Sequence, residues 1–157
     1  MKLMKKLSPI LALVLVAALI TACGSAAPGY DKKDLMLSEY NEATASVDVL
    51  IHNDAEGNIT GQHDITLRYE NRTDRDYTYT ALQRLEVQLD GDWYIVPDAQ
   101  DFVTMQIFTV PAGSSVEQDF RFEERYETLL PGTYRILKSF GDYEGNQEIS
   151  WLEFTIK

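Results

Sequence analysis

From Ala45 onward, apolar and polar residues alternate in short runs broken by turn residues, and no long helical period intervenes. Alternation places every second side chain on one face of a strand, so such runs read as half-buried β-strands. Val47, Val49 and Ile51 share a face of the run Ser46 to His52, and Ile65, Leu67 and Tyr69 share a face of Asp64 to Glu70. Leu85, Val87 and Leu89 alternate with Glu86 and Gln88 before Asp90-Gly91 turns the chain into Trp93 to Val96. Gln106 to Val110, Val116 to Phe122, Tyr134 to Phe140 and Ile149 to Ile156 bring the total to about eight strands. Short strands joined by turns predict an all-β, antiparallel sandwich and not a parallel α/β fold. The segment 45–157 is long enough to bury a core without disulfides, and the chain has one cysteine in all.

Two local patterns sharpen this expectation. Leu129-Leu130-Pro131-Gly132-Thr133-Tyr134 fits L-x-P-G-x-Y and resembles the tyrosine corner of Greek-key sandwiches. There a tyrosine hydroxyl bonds to the backbone a few residues upstream, which satisfies a buried polar group and pins the crossover. Leu85-Glu86 with Asp90-Gly91-Asp92-Trp93-Tyr94-Ile95-Val96-Pro97 forms the second pattern, together with Pro131-Gly132-Thr133-Tyr134-Arg135-Ile136-Leu137-Lys138. The pair resembles the bacterial immunoglobulin-like domain found on Gram-positive lipoproteins, over roughly 45–157. That resemblance implies an immunoglobulin-like Greek-key sandwich, with Tyr134, Pro131, Gly132 and Trp93 in structural roles. It implies a compartment and no reaction. The Cys…Trp…Cys signature of antibody domains is absent.

The first 22 residues have a different chemistry. Lys2, Lys5 and Lys6 precede an unbroken apolar run from Ile10 to Ile20, too short to span a bilayer as a helix and suited to a signal-peptide core. Ile20-Thr21-Ala22-Cys23 follows. This resembles the bacterial lipoprotein signal, which implies that Cys23 receives diacylglyceryl and palmitate chains and becomes the first residue. Two acyl chains give stable anchoring where one is marginal. The expected organisation is a signal peptide over 1–22, a lipidated cysteine and flexible tether over 23–44, in which the polar segment 30–44 is open to a helical turn or two or a first edge strand, and the sandwich over 45–157. Loss of 1–22, with three lysines and no acid, leaves 11 basic against 25 acidic residues, a net charge of −14. So acidic a domain is expected to be held off a negatively charged envelope surface and not to bind nucleic acid.

Catalytic signatures are lacking: no nucleophile elbow, zinc-binding helix or phosphate loop occurs. His52 and His63 flank one turn, but facing both odd-numbered apolar sets to one core requires directly opposed residues to sum to an even number. The two histidines then cannot oppose each other, and no metal site is expected there. Asp142 to Glu148 is an oxygen-rich hairpin, read as a solvated turn because hard cations need 6–8 converging oxygens. Arg135 is expected to pair with a carboxylate across the sheet, and Tyr77 and Tyr79 to be ordinary strand residues in preference to an exposed aromatic strip. No cofactor, metal or catalytic residue is expected. The expected protein is a non-catalytic binding or structural module on the extracytoplasmic face, with the membrane as partner through its anchor and an envelope protein or glycan as a second. The alternative is a small-ligand or ion-binding accessory lipoprotein of a sensor or transporter.

Overall fold

The computed structural model describes residues 29–53, 59, 61–99 and 106–157. The expected signal peptide and Cys23 lie outside the described residues. Ten strands lie among the described residues: β1 Met36–Leu37, β2 Val49–Asn53, β3 Ile65–Asn71, β4 Tyr77–Thr80, β5 Arg84–Leu89, β6 Asp92–Ile95, β7 Ile107–Val110, β8 Ser115–Phe120, β9 Gly132–Gly141 and β10 Gln147–Ile156. Among the described residues, helix is confined to a four-residue α1, Phe122–Arg125, and a 3-10 turn at Lys32–Asp34. The two strands beyond the expected eight are β1 and β4.

All pairings are antiparallel. The larger sheet runs β1-β6-β5-β9-β4-β7, and the smaller runs β2-β3-β8. β9 is the hub of the larger sheet. β10 pairs with it from Gly132 to Gly141, while β5 takes its other edge at Tyr134–Leu137 and β4 meets it at Gly141. The sheets are stitched where β2 passes β10: the Ser46 N–H donates to the Ile149 carbonyl at 2.8 Å, and Ser150 Oγ donates to the Val49 carbonyl.

Local sequence explains these elements. In β3, Ile65, Leu67 and Tyr69 are buried while Thr66, Arg68 and Glu70 are half-buried, as alternation requires. Asp90 and Gly91 take φ of 53° and 96°, the left-handed pair of a two-residue hairpin. Register in the smaller sheet obeys the even-sum rule, with Val49 opposite Asn71 and Ile51 opposite Tyr69. Val47 departs from expectation at 77% exposed. The strand begins only at Val49, because the Ser46 hydroxyl accepts the N–H groups of Asp48 and Val49 in a local turn.

Of the segment 23–44 expected as a tether, the described part is packed. From Tyr30 the chain is packed on the sandwich: the Tyr30 ring meets Tyr134 edge-on at 6.5 Å, and β1 pairs with β6. Ser38–Ala43 then lies as a strap on the outer face of the larger sheet before the chain enters β2. Its polar side chains hold it there. Asn41 donates from Nδ2 to Asp92 at 3.0 Å and accepts the Trp93 N–H at 2.8 Å. Among the described residues the chain is thus already packed on the sandwich at Tyr30, ahead of Ala45.

Candidate functional site

The outward face of a sandwich sheet is ordinarily wet, yet here Glu86 and Arg135 are 0% and 1% exposed. They oppose each other directly across β5 and β9. Arg135 Nε donates to Glu86 Oε2 at 2.6 Å, and its Nη2 donates to the Tyr40 carbonyl of the strap at 3.1 Å. The other carboxylate oxygen of Glu86 accepts the Ser38 hydroxyl at 2.6 Å. Trp93 from β6 and Trp151 from β10 flank the guanidinium, their rings centred 4.5 and 4.6 Å from its central carbon. A planar, weakly hydrated cation suits two aromatic faces better than an ammonium would. The cross-strand carboxylate expected for Arg135 is thus Glu86, and Trp93 is one wall of the cage.

On the inward face the corner is formed. The buried Tyr134 hydroxyl donates to the Leu130 carbonyl, four residues upstream, and burial pushes its pKa up. Its ring stacks on Phe154 at 5.6 Å. Pro131 lies exposed ahead of Gly132, which opens β9.

A buried lysine completes the inward face. Lys138, 1% exposed, shares the parity of Tyr134, Ile136 and Phe140 and projects between the sheets. Its Nζ donates to the carbonyls of Thr80 and Leu82 and to Gln118 Oε1, and it lies 4.9 Å from the centre of the Tyr79 ring and 5.8 Å from that of Tyr69. Burial, with the Arg125 charge adding, lowers its pKa to about 7. Between pH 7 and about 10 the unfolded chain therefore binds a proton that the native state does not, and stability rises with pH in that window. Above about pH 10 the raised pKa values of the buried tyrosines 69, 126 and 134 act in the opposite sense. Urea midpoints are expected to climb from pH 7 to about 9.5, by ~2–4 kcal/mol of stability, and Lys138→Met is expected to flatten that climb. Equal midpoints at the two pH values would show that Lys138 stays an ammonium in the fold.

The family model for the bacterial Ig-like domain matches residues 45–150, well over half of the chain. The chain belongs to the bacterial Ig-like domain family. No curated protein matches it. The matched span covers β2 to the first four residues of β10, so the Ig-like sandwich holds Glu86, Arg135, Lys138 and the Tyr134 corner, while the strap and β1 precede the match.

In this Ig-like domain the remaining candidates separate. His52 lies opposite Arg68 in β2 and bonds through Nε2 to Glu70 at 2.8 Å; His63 is exposed and outside any strand. Arg72 and then His52 hold the Glu70 carboxyl below its usual pKa. At the β9–β10 hairpin, Asp142 uses one oxygen for the N–H groups of Glu144 and Asn146 and the other for Asn146 Nδ2. Arg75 approaches the same carboxylate at 3.3 Å. Those oxygens close a turn, and among the described residues no three acidic, histidine or cysteine side chains converge as a metal site. Tyr77 and Tyr79 are buried, with Tyr79 stacked on Phe108 at 5.4 Å, so no exposed strip exists there. Sequence reasoning missed the burial of Glu86 and Lys138. Parity is the signal that could have placed them: Lys138 shares that of Tyr134 and Ile136, and Glu86 lies on the face of β5 away from Leu85 and Val87.

Proposed function

We propose that this Ig-like domain is a lipid-anchored, non-catalytic binding or structural module on the outer face of a Gram-positive cell membrane. The observation that supports this most is the order of features: a lysine head, an apolar core and Ile20-Thr21-Ala22-Cys23, then a family-matched Ig-like sandwich on which Tyr30 is already packed. Acyl chains on Cys23 hold it at the bilayer. Its histidines are separated, one bonded to Glu70 on an open sheet face, which supports a role in recognition and not in catalysis. Loops and short edge strands are the surfaces through which such a sandwich meets an envelope protein or glycan. In cells, Cys23→Ser is expected to abolish lipid labelling and to release the protein into the medium. Retention of the variant in the membrane fraction would overturn the anchor.

A further inference from the structure

The proposed anchor and the folded unit stand very close in sequence. Six residues lie between Cys23 and Tyr30, so seven fully extended steps let Tyr30 stray at most about 25 Å from an acylated cysteine. The described edge nearest that point is unusual for an acidic domain. β1 exposes both of its side chains, Met36 at 70% and Leu37 at 52%, and it pairs with β6 along one edge only. Around them stand the residue types favoured at a lipid–water boundary. Tyr30 and Tyr94 are partly buried, Lys32 lies 5.6 Å over the Tyr94 ring, and Lys33 is well exposed.

We infer that the β1 edge, with Met36 and Leu37 leading, seats in the bilayer interface and fixes how the anchored domain stands on the membrane. The inference rests on acylation of Cys23. Seating is apolar in origin. Lys32 is paired with Asp90 at 2.8 Å and Lys33 with Asp31 at 2.6 Å, so the patch carries no free positive charge with which to seek anionic headgroups. The net charge expected to hold the domain off the surface acts on the sandwich as a whole. It does not stop this edge, whose two lysines are already paired with carboxylates, from inserting two apolar side chains when the anchor holds it within reach. Antiparallel β9 and β10 set the orientation. Gly132 and Ile156 lie at the end nearest Tyr30, where Tyr134 meets it, and the Asp142–Asn146 turn lies at the opposite end, about 30 Å along the strands. Tyr143, 80% exposed in that turn, then lies far from the seated edge.

Acylated Cys23 is the chain's one cysteine, so a spin label can be directed to a single introduced thiol. Full-length lipidated Leu37→Cys and Tyr143→Cys are labelled and placed in phosphatidylcholine vesicles, and the mass of each protein and its flotation with the vesicles are measured first. The expected result is a several-fold loss of collision with a water-soluble nickel chelate, and a gain with oxygen, at position 37 and not at 143. Adding phosphatidylglycerol is expected to change neither. Equal nickel access at 37 and 143 in floating, acylated protein overturns the seating and leaves the anchor intact. Absence of acyl mass and of flotation overturns both. Dipolar broadening between labels at 37 that disappears on dilution in the membrane means that the edge meets a second copy, which also overturns the seating.

Discussion

Arg135→Ala is expected to be among the most damaging single changes in this domain, at about 3–5 kcal/mol, because it leaves the Glu86 carboxylate buried without its counter-charge. The strap and both tryptophans seal that carboxylate from water, and the next cation, Arg84, is 3.8 Å from its other oxygen. With a total stability of 5–15 kcal/mol typical of small domains, the variant is expected to be at the margin of folding. Two companions separate charge from geometry. Arg135→Lys keeps the charge but loses the fork to Glu86 and Tyr40 and the two flat aromatic contacts, so its urea midpoint is expected to fall between those of the wild type and Arg135→Ala. The double variant Arg135→Met, Glu86→Leu removes both charges and is expected to recover most of the loss, since apolar residues often replace a buried ion pair at little cost. Equal midpoints for Arg135→Ala and the wild type would mean that the pair is solvated in solution and that the strap does not cover it.

Tyr134 carries the second large effect. Tyr134→Phe keeps the ring stacked on Phe154 and deletes only the hydroxyl, so the Leu130 carbonyl loses its donor at a cost of about 1–3 kcal/mol. Tyr134→Ala also empties the ring's volume beside Tyr30 and Phe154 and is expected to cost ~3–5 kcal/mol. Tyr143→Phe, in an exposed turn, is the control and is expected within about 0.5 kcal/mol of wild type. Denaturant midpoints for the three proteins decide it. Coincident curves for Tyr134→Phe and wild type would remove the corner bond from any account of stability.

Apart from the four-residue β4, the strands were legible where one face is wetter than the other. β3 shows this in its sequence, and so does the Asp90-Gly91 hairpin, where the turn type demands those two residues. Alternation failed where both faces are buried. Arg135, Leu137 and Glu86 fall on the outward parity and read as solvent-facing, yet Ser38 and Tyr40 bind over this face. That cover comes from a polar segment with no period of its own, so the sequence left residues 30–44 open between a helical turn and an edge strand and did not show where they pack. Phe120 and Phe122 mislead differently. They continue a two-residue alternation, but the chain leaves β8 after Phe120 and turns into α1, and both rings reach the core, 4.6 Å apart and edge to face. A helix of one turn is too short to leave a period in a sequence. Lys138 was hidden by its own chemistry: lysine reads as outward, and only the acceptors waiting at Thr80, Leu82 and Gln118 make its inward position tolerable.

Both tryptophans of the protein flank Arg135 on the strapped face, and neither belongs to the core cluster between the sheets. Intrinsic indole emission is therefore an optical reporter of how the strap sits, and it is nearly blind to the sandwich interior, whose aromatic residues are tyrosine and phenylalanine. Lifting Ser38–Ala43 would wet Trp93 and shift its emission to the red while the far-ultraviolet dichroism of the strands stayed unchanged. Titrations followed by the two signals thus read separate parts of one small protein: the segment joined to the tether, and the sheets behind it.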